Sequence, residues 1–207
     1  MRLRRVRHLL AGVATVLPGM SSATFLFAPV AVVRETAGEV LSPAERARIA
    51  GFRLPAERSR RAAAHTLKRL MLARLLGIEP ACVPCDGGGA VPPVVVGRSD
   101  IALTLTHSGD WVGAGVGLCG SLGIDVESKQ AAIPWPMLRD TVRSSGSIEA
   151  PAMNIAEWCR LEARVKQAGG WYKCRCSVEV ESFDLDLGHV GAVAAPPGIV
   201  SRIVIAA

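Results

Sequence analysis

The chain has 207 residues, half of them hydrophobic and a fifth charged, a composition that builds a core and excludes a wholly disordered protein. No apolar run reaches the roughly 18–20 residues that cross a bilayer, so a membrane-spanning plan is excluded as well. Lys and Arg number 24 against 18 Asp and Glu, a net charge of +6, while only 4% aromatic residues argue against holding single-stranded nucleic acid by base stacking.

The charge is unevenly placed. Arg2, Arg4, Arg5 and Arg7 lie in residues 1–19, where no acidic residue occurs, leaving 20 basic against 18 acidic residues in the rest. Basic residues, the apolar run Leu9–Leu17 and Ser21-Ser22-Ala23 follow one another in the order of a secretory signal. We take residues 1–19 instead as an extension outside the fold, which then starts near Met20.

Ala23–Val33 is apolar and β-branched and reads as a strand, with Pro29 marking an edge or bulge. Ser42-Pro43-Ala44-Glu45 has an N-cap serine, proline at N1 and glutamate at N3, and opens a short helix to about Gly51. Pro55 opens a longer helix to Leu76, stopped by Gly77. Its buried stripe is Ala63, Leu67, Leu70, Met71 and Leu75; Arg58, Arg60, Arg61, Lys68, Arg69 and Arg74 take much of the remainder. His65 lies on the stripe's side and reads as a packed helix histidine.

Residues 82–93, with Gly87-Gly88-Gly89 and three prolines, form a loop. Strands are expected at Val94–Val96, Ile101–Thr106, Trp111–Leu118 and Leu122–Glu127, followed by an irregular stretch over residues 128–150. A helix from about Met153 to Ala168 stops at Gly169-Gly170, and Cys176–Phe183, His189–Ala194 and Ile199–Ile205 close the chain as strands. This order predicts an α+β fold of two similar lobes, residues 20–120 and 121–207. Cys82 and Cys85 form a C-x-x-C, and Cys174 and Cys176 a C-x-C. A zinc site would need the two pairs to meet, and the second lacks the usual spacing. With Cys119 and Cys159, all six are read as reduced.

Two segments carry chemistry. Asp125 and Glu127 in Gly123-Ile124-Asp125-Val126-Glu127 point to one side of an extended segment, because side chains alternate with period two. Carboxylates so placed repel unless a cation lies between them, and oxygen ligands suit Mg²⁺. A solvated strand face is the other reading. Glu162 and Lys166 are four apart on the later helix and share a face; alone they are also readable as a surface ion pair.

Taken in order, Thr106-His107-Ser108, Gly123–Glu127, and Trp158, Glu162, Ala163 and Lys166 resemble the 4′-phosphopantetheinyl transferase superfamily. Its signature is a S/T-H-S-like turn, then G-[IV]-D-[IV]-E, then W-x-x-K-E-A-x-x-K. Phe52-Arg53 and Arg60-Arg61 with His65 look like the family's basic first-lobe helix. The resemblance covers about residues 23–195, and the length is that of the larger, two-lobed branch related to the surfactin enzymes. Three features differ from the pattern. Leu161 stands where the family has lysine, Gly89-Ala90-Val91-Pro92 lacks the lysine of a G-K-P segment, and residues 128–150 lack a Phe-rich helix.

The resemblance implies two lobes in a pseudo-twofold arrangement and transfer of phosphopantetheine from coenzyme A to a serine of an acyl or peptidyl carrier protein. Asp125, Glu127 and Glu162 would hold Mg²⁺. Glu162 would take the serine proton, and Lys166 would stabilise the pyrophosphate. His107, Ser108, Arg61 and Arg48 would contact the nucleotide. It also implies a cytoplasmic monomer of secondary metabolism, without nucleic acid or membrane as partner. The alternative is a repurposed relative that binds a carrier or intermediate, or catalyses another step on it.

Overall fold

A computed structural model describes residues 22–86, 93–136, 140, 154–170 and 178–206. The expected start near Met20, the triple glycine, Cys174, Cys176 and most of 128–150 lie outside these residues. The fold is mixed α+β, with two main sheets and one small ribbon.

Strand β1 (Ser22–Pro29) has buried residues from Ala23 to Ala28 on both its faces, which is why its sequence is almost continuously apolar. The strand expected to reach Val33 stops at Pro29, and Val30–Arg34 turns at once into helix α1. The Val30 amide donates to the Asp110 carbonyl at 2.8 Å, and Val33 is wholly buried. Tertiary contacts thus override the β-branched composition there. Helices α2 (Ala37–Val40), α3 (Pro43–Ala50) and α4 (Pro55–Leu76) follow. The capping box at Ser42 and Glu45 forms as expected, and Gly77 closes α4 at φ 68°.

A ribbon of β2 (Cys85–Asp86) and β3 (Val94–Val95) leads to the hairpin of β4 (Ile101–Ser108) and β5 (Trp111–Leu118). β4 thus runs two residues beyond the expected end and carries His107 and Ser108. β5 is antiparallel to both β4 and β1. Its alternate glycines let the layers close: a Cβ at Gly115 would lie 2.7 Å from Phe25, and one at Gly113 2.9 Å from Ile124 of the second sheet.

The second sheet comprises β6 (Gly123–Ser128), β7 (Glu179–Asp184) and β8 (His189–Ala195), with helix α5 (Ile155–Ala168) between β6 and β7 in the chain. Its spatial order is β6-β8-β7, and the first sheet contains the run β1-β5-β4, each of these pairings antiparallel. Each half therefore places a strand, then helix, then a hairpin whose last strand lies in the middle. The final strand, β9 (Val200–Ile205), returns to the first sheet and runs parallel to β1. Phe27 meets Phe183 edge-on at 5.3 Å, joining the sheets through an aromatic contact.

Lys68 and Arg69, placed by type on the outer faces of α4, are buried. Their partner is Glu45 on α3: Lys68 Nζ donates to Oε1 at 2.6 Å and Arg69 Nε to Oε2 at 2.5 Å. Arg69 also donates to the carbonyls of Pro80, Ala81 and Val83, tying down the chain after α4. Burial opposes the charge of Glu45, but hydrogen bonds from His65 and Lys68 hold its carboxyl well below the usual range. His65 is packed into this cluster, as read, and its ring also reaches the cleft described next. The described cysteines, Cys82, Cys85, Cys119 and Cys159, are free thiols. Among the described residues no helix is long and apolar enough to cross a membrane.

Candidate functional site

A cleft of about 640 Å³ opens between α4, β4, β6 and α5. Its position follows from one glycine. A Cβ at Gly123 would lie 1.8 Å from the Ala163 carbonyl oxygen and 2.8 Å from the Gln167 amide nitrogen. The backbone of α5 therefore rests directly on the start of β6, and Glu162 and Lys166 are delivered opposite Asp125. Cys159 and Ala163 form the underside of the helix and pack on Val190, Ala192 and Ala194 of β8.

Asp125 is buried, at 3% exposure. Its Oδ1 accepts from Lys166 Nζ at 2.6 Å and from Thr106 Oγ1 at 3.1 Å, and its Oδ2 is buried with no hydrogen-bond partner. Thr106 is oriented in turn by accepting from the Val126 amide at 3.1 Å. Glu127, two residues on, accepts from Ser108 Oγ at 2.9 Å. The two short motifs on β4 and β6, far apart in sequence, are thus bonded side chain to side chain.

Burial pushes the Glu127 carboxyl up, and the charge of Asp125 adds to it. Burial also pushes Glu162 up; Lys166 opposes this, while Asp125 and Glu127 reinforce it. Burial alone would lower the Lys166 ammonium, but the charge and hydrogen bond of Asp125 raise it above its ordinary value, so it stays cationic. His107 is held below its ordinary value chiefly by burial, although Glu57 opposes this, and its ring is neutral at neutral pH.

Asp125, Glu127, Glu162, Lys166, His107 and Arg61 all line the cleft. Ser108 reaches it through Glu127. Arg48 lies exposed on α3 and does not itself line the cleft, although its charge acts on His65, which does. Leu161, at the family's lysine position, is buried with Trp158 and Val165 against Ile133 and Trp135. That side of α5 is therefore packed apolar surface in this protein.

Two features escaped the sequence reading. Glu57 on α4 bonds Arg60 and Arg61 and approaches His107; its i,i+3 and i,i+4 spacings to the arginines were visible, its contact with β4 was not. Asp186 accepts from the Trp111 indole at 2.7 Å and faces His189 Nδ1 at 3.1 Å. The other ring nitrogen of His189 lies where a Cβ of Gly109 would come within 2.6 Å, and Gly109 has φ +54°. This latch joins the turn after His107 and Ser108 to the second sheet.

No protein-family model and no curated protein matches the chain. The chemistry of the cleft therefore has to speak for it. Among the described residues no three His, Cys, Asp or Glu side chains are gathered tightly enough to enclose an ion as they stand. Asp125, Glu127 and Glu162 nevertheless offer the ligand type that a hard divalent cation takes. The donor atoms are all oxygen, Asp125 Oδ2 is buried without a partner, and Glu127 and Glu162 are destabilised by burial and by neighbouring negative charge.

Proposed function

We propose that the protein transfers the 4′-phosphopantetheine group of coenzyme A to a serine of an acyl or peptidyl carrier protein, as a relative of the two-lobed phosphopantetheinyl transferases. One observation carries the reading. Three segments that resemble the family's motifs, from β4, β6 and α5, converge on a single cleft lined by Asp125, Glu127, Glu162 and Lys166, with Lys166 bonded to Asp125 and Ser108 to Glu127. The repeated strand–helix–hairpin topology of the two sheets supports a two-lobed arrangement.

In the reaction the carrier serine oxygen forms a bond to a pyrophosphate phosphorus, the phosphorus–oxygen bond to 3′,5′-ADP breaks, and the serine proton leaves. Asp125, Glu127 and Glu162 would hold Mg²⁺, which when bound neutralises charge on the pyrophosphate oxygens. Glu162 faces the cleft with a raised carboxyl and accepts the serine proton. Lys166 retains its charge and follows the phosphate oxygens as they become more negative. Ser108 and Thr106 hold Glu127 and Asp125 in place, which spares reorganisation during the step. Arg61 and His107 offer donors to the nucleotide's phosphate.

Intact-mass measurement on carrier proteins incubated with the enzyme, coenzyme A and Mg²⁺ tests this. The expected result is a shift of one phosphopantetheine group, lost when a chelator is added. No shift on several carriers that a control transferase modifies would overturn it. A second reading has its own observation: Leu161 is a core residue in place of the family's lysine, so α5 offers one cation fewer. A repurposed relative that binds a carrier or pathway intermediate, without transfer, then becomes the function.

A further inference from the structure

Two walls of the cleft that offer donors to phosphate, Arg61 and His107, already share a carboxylate of the chain itself. Glu57, in the first turn of α4, accepts from Arg61 Nε at 2.6 Å through Oε1 and from Arg60 Nη2 at 2.9 Å through Oε2. His107 Nε2 comes to 4.0 Å from the same Oε1, and it arrives from β4, a different element. A pair spaced i,i+3 or i,i+4 is by itself an ordinary helix contact. Here a residue of another strand joins it, and both Arg61 and His107 are walls of the cleft. The Arg61 guanidinium is also fixed over the Phe52 ring, 4.1 Å from its centroid. Two guanidinium groups and an imidazole around two oxygens are the donors that recognise a phosphate.

We propose that Glu57 is a built-in counter-anion in the phosphate seat of the cleft, and that it sets the preference between a ribose carrying a phosphate and one carrying a free hydroxyl. A carboxylate accepts a hydrogen bond from a hydroxyl and repels a phosphate. The same alternative, acid or arginine, separates plain from phosphorylated riboses in dinucleotide-binding folds. With Glu57 in place, Arg60 and Arg61 contribute one net positive charge to the corner and not two. Glu57 bonds Arg61 through Nε, so a phosphorylated ligand on the same guanidinium is repelled until that carboxylate turns away, and a hydroxyl ligand needs no such movement. The inference rests on the coenzyme A reading only for the identity of the ligand; the seat itself follows from the geometry.

The test is calorimetric titration of the full chain and of Glu57→Gln with inorganic phosphate, coenzyme A and 3′-dephospho-coenzyme A. The variant is expected to bind phosphate and coenzyme A on the order of tenfold more tightly, and dephospho-coenzyme A within about twofold of the native protein. Phosphate bound no more tightly by the variant overturns the inference, as does an equal gain for both nucleotides. Should neither protein bind coenzyme A while the variant gains affinity for phosphate, the coenzyme A reading falls and the counter-anion stands. Should the variant not fold, a structure of the native protein with phosphate decides. Arg61 on the phosphate and released from Glu57 supports the inference, and an intact Arg61–Glu57 bond overturns it.

Discussion

Glu162→Gln is expected to lower the rate of phosphopantetheine transfer by about 10²–10⁴-fold while changing the KM for coenzyme A by only a few-fold. The expectation follows from where α5 places the side chain. Glu162 lines the cleft with Asp125 and Glu127; burial pushes its carboxyl up, Lys166 opposes this and the two carboxylates reinforce it, which makes it a better proton acceptor than an ordinary glutamate. Glutamine keeps the shape and loses the proton acceptor, so the loss should fall on kcat. Single-turnover transfer to a carrier protein, read by intact mass, separates the two parameters. A variant with unchanged kcat and a raised KM would instead make Glu162 a binding residue only.

Gly123→Ala is expected to destabilise the fold by about 3 kcal/mol and to abolish transfer in whatever fraction remains folded. The new methyl group would meet the Ala163 carbonyl oxygen at 1.8 Å and the Gln167 amide nitrogen at 2.8 Å. Both are backbone atoms of α5, so no side-chain rotation relieves the overlap, and the helix has to lift. Lifting it separates Lys166 from Asp125, a contact of 2.6 Å, and moves Glu162 away from β6. Gly120→Ala is the matched control, because a Cβ there meets nothing within 4 Å. Chemical denaturation of both variants checks the difference. Equal stability of the two would mean that α5 does not depend on the close approach at Gly123.

The glycine also shows what local pattern can and cannot reveal. Gly123 was readable as the first residue of a motif, and Asp125 and Glu127 as two carboxylates on one side of a strand, because both follow from spacing along the chain. Ser42, Pro43 and Glu45 were readable as a helix start for the same reason, and the capping box forms. What Glu45 does next was not. Its carboxylate binds Lys68 and Arg69, more than 20 residues away, and draws both into the core although their type suits an outer face. The segment after Pro29 misled for a related reason. Val30, Val32 and Val33 have the composition of a strand, but contacts with the turn at Asp110 and with the core select a helix.

The site was legible to the extent that its residues carry rare chemistry in a recognisable order. Asp125, Glu127, Glu162, Lys166, His107 and Arg61 were all named from sequence, and all face one cleft. Arg48, placed at the nucleotide by the family resemblance, lies exposed on α3 and reaches the cleft through its charge on His65. Thr106 was seen as part of a motif, yet its particular task, a hydrogen bond to Asp125, needs the register of two strands from different sheets. Glu57 and the Trp111–Asp186–His189 latch lay outside the motifs for the same reason: each joins elements that only the folded chain brings together. The return of β9 to the first sheet is another such case, because parallel pairing with β1 leaves no local signal.

The central claim is that Asp125, Glu127, Glu162 and Lys166 form one phosphate-handling centre. A structure of the protein with coenzyme A and Mg²⁺ tests it most directly. The expected result is a single ion bound by oxygens of Asp125, Glu127 and Glu162 against the pyrophosphate, with Lys166 on the phosphate oxygens. Coenzyme A bound outside the cleft, or an ion that none of the three carboxylates touches, would contradict it.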